Sequence, residues 1–236
     1  MELSYKFSDT IKSSIIGTHC IYVKLFVDVP GILLAFIVSN FTKISANFIT
    51  FFGAFLALIA VYFVLTQSIF YAAVFFYCSY ICDFLDGKIA RLRKTSSHFG
   101  KKLDLAFDRL IFISLSLSYL YYFDKNDMSV ELLLLAFYAL LFLIYDVLEL
   151  TSSIVEYRSI LDNPNYTSTK NNLHPRETYG YFEEITSIKS WIPSRVGTLG
   201  FVFVLAPILT FKVFYLIALF AILIRLVNFL LSYFSR

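Results

Sequence analysis

After residue 44 the chain repeats one pattern six times: a run of about twenty apolar residues, the length that carries a helix across a hydrocarbon layer, then a polar break. The runs cover about 45–66, 69–91, 101–123, 129–156, 195–211 and 213–234. Backbone amides in lipid have no water to bond, so each run must satisfy them internally as a helix. The expected fold is an all-α membrane protein with six transmembrane helices, its fifth kinked by Pro207. Composition agrees, with 58% hydrophobic and 16% charged residues and a mean hydropathy of +0.72. Those values exclude an ordinary soluble domain. The net charge is only +3, and no nucleic-acid partner is expected.

The first 44 residues read differently. Lys6, Lys12 and Lys24 among Tyr, Phe, Ile and Val predict an amphipathic helix over 1–25, lying on an anionic membrane surface. Residues 29–40 are too short a run to span and extend that interfacial segment. Residues 1–14 are polar and amphipathic, unlike the apolar core of a cleavable signal peptide. The expected organisation is an N-terminal interfacial segment, 1–44, and a six-helix domain, 45–236. Basic residues set its orientation. The connector after the second run holds Arg91, Arg93, Lys94, Lys101 and Lys102, and the polar loop 157–194 holds Arg158, Lys170, Arg176 and Lys189, whereas the turn 124–127 is net acidic. The excess of positive charge on alternate loops predicts a multi-pass protein with both termini and the long loop in the cytoplasm. The glycosylation-like Asn165-Tyr166-Thr167 is then a chance match. Cys20, Cys78 and Cys82 lack metal spacing, and His19, His98 and His174 are scattered.

Where the second and third runs meet, four aspartates stand out. Asp83 and Asp86 are spaced i, i+3; Asp104 and Asp108 are spaced i, i+4; each pair shares a helix face. A basic segment with Gly100, 91–102, lies between them and predicts a bend that lets all four carboxylates converge. Crowded carboxylates repel one another unless cations hold them. Oxygen-only ligands suit Mg²⁺ or Mn²⁺, and two such ions form a clamp for phosphoryl chemistry. The ordinary alternative, solvated charges at helix ends, fits poorly beside sequence as apolar as AAVFFYCSYIC and LIFISLSLSYLYYF.

The stretch reads D-x2-D-G-x2-A-R-x8-G-x3-D-x3-D without a gap: Asp83, Asp86, Gly87, Ala90, Arg91, Gly100, Asp104 and Asp108. It resembles the signature of the CDP-alcohol phosphatidyltransferases, membrane enzymes of phospholipid synthesis, and the resemblance extends more weakly over about 45–234. It implies transfer of a phosphoalcohol, in most relatives phosphatidyl, from a CDP-alcohol such as CDP-diacylglycerol to an acceptor hydroxyl, with release of CMP. It also implies that Asp83, Asp86, Asp104 and Asp108 hold two divalent metal ions and that Asp108 is the general base. Asp83, Gly87, Ala90, Arg91 and Gly100 would contact the CDP moiety, with Ser97 as a further donor. Ile44 to Thr50, ISANFIT, is similar to the family's P-N-x-x-T helix start; Asn47 and Thr50 match, which implies that they touch CDP, and Ala46 replaces the proline. N-capping by Ser45 explains the same residues without a ligand. Relatives are commonly homodimers, so a homodimer is expected.

The acceptor is less legible. Arg195 opens the fifth run and resembles a position that anchors phosphorylated acceptors in some relatives. Arg158, Asp146, Glu149 and Arg225 are further candidates, Asp146 and Glu149 also as ion-pair partners of Arg225 or Arg195. Glycerophosphate-type relatives tend to carry a basic residue on the fourth helix, where this chain has an acidic pair. Inositol phosphate, glycerol phosphate, serine and amino-alcohol acceptors stay open. The rival readings are a cation-coupled transporter using the aspartates and an inactive relative serving as a partner protein. Clustering of the acids at one membrane face, away from the midplane, argues against transport.

Overall fold

The structure is a computed structural model describing residues 5–14, 21–162 and 195–234. Most of the 157–194 loop, with the Asn165 sequon and His174, lies outside the described residues, as do His19 and Cys20. The described chain is helical throughout. α1 is Phe7–Ser14, α2 covers 21–41, α3 is Ala46–Leu65, α4 is Ile69–Leu92 and α5 is His98–Lys125. α6 is Ser129–Asp162, α7 covers 195–208 and α8 is Phe211–Phe234.

Three tight turns fold α3 to α6 back on one another, and all three end a helix in the same way. After α3, Ser68 N–H reaches the Phe63 carbonyl at 2.8 Å and Gln67 N–H reaches Val64 at 3.0 Å. After α4, Thr95 bonds Ala90 and Lys94 bonds Arg91; after α5, Met128 bonds Phe123 and Asp127 bonds Asp124. These are Schellman closures, which need a left-handed residue just past the helix. Gln67, Lys94 and Asp127 adopt it at φ 63°, 56° and 55°.

The interior is aromatic. Phe112 stacks on Phe142 with ring centroids 4.3 Å apart, and Phe203 of α7 meets Phe76, Phe112 and Tyr119. Tyr138 of α6 and Thr198 of α7 share a buried hydrogen bond of 2.8 Å. The outer faces are also apolar: Phe55, Leu58, Leu117, Leu209 and Phe220 are all exposed. A surface of that kind suits lipid and not water.

Among the described residues, five helices are long and apolar enough to cross a membrane: 24–41, 46–65, 69–92, 129–151 and 211–231. This set differs from the expected six. Residues 29–40 do not stand alone, because the helix continues upstream through a π-turn, Lys24–Asp28. Lys24 and Asp28, whose charges break the apolar run in the sequence, are both buried. The third expected run is one unbroken helix, α5, but Lys101, Lys102, Asp104, Asp108 and Arg109 crowd its start. The fifth, α7, is short: a π-turn, Phe201–Leu205, precedes Pro207, and the helix stops at Ile208.

Both π-turns lie just before a proline, Pro30 and Pro207. A proline has no N–H for the carbonyl four residues back. The wider turn shifts the bonding, so that Val29 N–H bonds Lys24 and Ala206 N–H bonds Phe201. Tyr22, just before the first π-turn, packs on Phe201 of the second, with ring centroids 5.1 Å apart. A Cβ on Gly200 would stand 2.5 Å from the Tyr22 ring, so that contact needs glycine.

Gln67 carries a side chain where glycine is favoured and lies away from the aspartates. Gln67→Gly is expected to stabilise the fold by about 1 kcal/mol, seen as a higher thermal midpoint in detergent.

Candidate active site

The site is built at the elbow between α4 and α5. α4 delivers Asp83 and Asp86 from its last turns, and α5 delivers Asp104 and Asp108 from its first. Ser97 forms the joint: its hydroxyl accepts the Gly100 N–H at 3.0 Å and caps α5. A Cβ on Gly100 would stand 3.2 Å from Ser97 Oγ and 3.3 Å from Asn47 Oδ1. Glycine here permits close approach of α5 to α3; no positive φ is involved. Gly53 does the same for α3 against α4, where a Cβ would lie 3.0 Å from that of Cys82.

Among the described residues, Asp83, Asp104 and Asp108 each offer a carboxylate oxygen within 4.8 Å of the others. Asp86 is buried beside them and accepts a short hydrogen bond from the Thr50 hydroxyl. Three carboxylates at this separation repel, and an oxygen-only donor set fits a hard divalent cation. The residues present therefore suit a metal centre on Asp83, Asp104 and Asp108, with Asp86 adjoining.

Two cavities meet at these aspartates. The first, about 930 Å³ including its open mouth, has Asp83, Asp86, Asp104 and Asp108 at one end and a wall of Phe76, Phe112, Leu115, Phe142 and Phe203. The second, about 580 Å³, is polar. It is lined by Asn47, Thr50, Gly87, Ala90, Arg91, Ser97 and Gly100, which are the residues expected to contact CDP apart from Asp83. Thr50, Asp86 and Asp104 line both cavities. Arg91 folds back over Gly87, where a Cβ would stand 3.2 Å from its Nη1. Ser45 caps α3 by accepting the Phe48 N–H, so the capping explanation of ISANFIT holds while Asn47 and Thr50 also face the polar cavity.

Among the acceptor candidates, Asp146 lines the apolar cavity and pairs with Arg109 at 2.7 Å, a partner the sequence did not suggest. Glu149 is exposed on α6 and Arg225 half-buried on α8. Arg158 falls in the last turns of α6 and Arg195 at the start of α7, with side chains outside the described residues. Two further groups escaped the sequence reading. Lys88 forms a buried ion pair with Asp28 at 2.7 Å, and Arg93, read only as a topology charge, bonds backbone carbonyls of Val38, Ile44 and Thr42.

A family model described as CDP-alcohol phosphatidyltransferase matches residues 43–233, most of the chain. No curated protein matches it.

If the three carboxylates hold a cation, Asp83→Asn and Asp104→Asn each weaken Mn²⁺ binding by at least about tenfold, the size of loss typical of milder changes around a metal. Electron paramagnetic resonance of Mn²⁺ titrated into the purified protein reads this directly.

Proposed function

The chain belongs to the CDP-alcohol phosphatidyltransferase family, a family of transferases, and from that premise we propose that it transfers a phosphatidyl group from CDP-diacylglycerol to a small alcohol, releasing CMP. The observation that carries this reading is the pair of cavities sharing Thr50, Asp86 and Asp104. One is polar and of a size for a nucleotide; the other is apolar beyond its acidic end, as a lipid chain requires.

In this reading Arg91 binds the pyrophosphate, its planar fork matching two phosphate oxygens. Asn47 and Ser97 face the cytidine side, while Gly87, Ala90 and Gly100 leave room for close approach. Asp83, Asp86, Asp104 and Asp108 would hold two divalent cations, Mg²⁺ or Mn²⁺, which supply charge neutralisation at the pyrophosphate and make the acceptor hydroxyl more acidic. Asp108 takes the proton of that hydroxyl as its oxygen attacks the β-phosphorus. The bond from the β-phosphorus to the bridging oxygen breaks, CMP departs, and a phosphodiester remains. The Arg109–Asp146 pair, on the same cavity as Asp108, is the part of the described acceptor side nearest the chemistry. Arg195, Arg158, Glu149 and Arg225 remain acceptor candidates.

For the membrane arrangement we read α3 to α8 as six crossing helices and the segment 1–44, with α1 and α2, as the interfacial part. α5 and α7 are less apolar or shorter because they carry or abut the site. Termini, elbow and long loop face the cytoplasm, where nucleotides are found, and the functional unit is a homodimer.

The experiment that tests the reaction is CMP release by purified protein given CDP-diacylglycerol, Mg²⁺ or Mn²⁺, and one acceptor at a time. Acceptor-dependent CMP that a chelator abolishes is the expected result. No CMP with any acceptor, and no metal-dependent binding of donor, returns the site to the rival readings. Asp108→Asn is expected to lower kcat by at least about a hundredfold while donor binding persists. Asp146→Asn is expected to change the acceptor KM and leave the donor KM in place; unchanged acceptor kinetics remove the Arg109–Asp146 pair from acceptor binding.

A further inference from the structure

The family match starts at residue 43, so it does not account for α2. Yet α2 lies along the signature helix and runs in the same direction. Val23 and Val27 cluster with Tyr80, Ala35 clusters with Leu85 and Ile89, and the end of α2 meets Arg93.

Two polar fastenings hold it there. Lys88, two residues past Asp86, gives its ammonium to Asp28 at 2.7 Å, and the two side chains are 2% and 3% exposed. Gly31 lies against the pair, where a Cβ would stand 3.6 Å from Lys88 Nζ, an ordinary contact distance. Charges this deep are tolerated as a pair and costly singly, so removal of either partner strands the other. Arg93 supplies the second fastening. Its guanidinium donates to the carbonyls of Val38 at 2.9 Å, Thr42 at 2.8 Å and Ile44. Val38 belongs to the last turn of α2, where its carbonyl also accepts the Thr42 N–H, and Thr42 and Ile44 form the connector to α3. Just beyond that connector come Asn47, facing the polar cavity, and Thr50, bonded to Asp86.

We infer that α2 is a positioning element of the nucleotide cavity: through Asp28–Lys88 and Arg93 it fixes where Asn47 and Thr50 stand relative to Asp86 and Arg91. Asp28, Lys88 and Arg93 are then positioning residues and touch no phosphate. The inference rests on the CDP reading given above.

The test is CMP binding by the full-length purified chain with Mn²⁺, measured by calorimetry, beside steady-state kinetics. Arg93→Met is expected to weaken CMP binding and raise the donor KM by about tenfold or more, the scale of loss when a supporting contact shifts a site. The acceptor KM is expected to stay in place, a split that general loosening of the fold does not produce. Arg93→Lys, the milder variant, is read if Arg93→Met does not fold, and should show the same split at smaller size. Asp28→Leu and Lys88→Met should each weaken CMP binding, and the double variant should recover it, because an apolar pair restores the packing without the charges. Wild-type affinity in folded Arg93→Met or Arg93→Lys overturns the inference and leaves the CDP reading standing. A folded double variant that fails to recover assigns Lys88 to the phosphates and overturns its positioning role. Failure of the unaltered chain to bind CMP overturns the CDP reading and this inference with it.

Discussion

Mutual repulsion of carboxylates is the constraint around which the elbow is arranged. Asp83, Asp104 and Asp108 lie within 4.8 Å of one another at the edge of an aromatic bundle, and Asp86 is buried beside them. A chain that placed them there without further provision would splay α4 from α5. Several local features oppose that. Ser97 caps α5 at the joint, Gly100 and Gly53 let three helices close to near backbone contact, and Thr50 reaches across to Asp86. The cations nearby do not spread evenly over the acids. Lys88 is committed to Asp28 and Arg109 to Asp146, both outside the group of Asp83, Asp104 and Asp108.

The N-terminal region follows from the same logic of paired interruptions. Pro30 and Pro207 would each break a helix, and each is preceded by a π-turn that moves the missing bond. Beside them the chain packs closely, Tyr22 before the first turn against Gly200 and Phe201 at the second. Irregular backbone at membrane depth is tolerated where protein covers it, and Val27 and Asp28 of the first turn and Val202, Phe203 and Val204 of the second are buried.

Much of the site was legible because its signals are local. The two aspartate pairs, Gly87, Arg91 and Gly100 declare themselves by spacing within one stretch, and the structure draws three of the aspartates together and lines the polar cavity with most of the rest. The helical class and most helix bounds followed from apolar length. The misreadings concern charges whose partners are far away in sequence. Lys24 read as a charge on a surface helix because nothing near it signals burial, and buried Asp28 meets its partner Lys88 only sixty residues on. Arg93 counted as one more cytoplasmic charge, since a guanidinium that caps another helix has no local pattern. The Arg109 contact of Asp146 was not foreseen because helix rotation, which brings the two together, is not set by period alone.

The shared rim of Thr50, Asp86 and Asp104 has one more consequence. On the proposed reading the donor is one molecule with two ends that have no solvent in common, a nucleotide that prefers water and acyl chains that prefer oil, and it lies across the thin boundary between them. A protein with a hydrophilic chamber and an oily one divided by a few side chains brings that boundary into its own interior. Each end of such a molecule then stays in its own medium, and only the reactive phosphorus stands at the line between them.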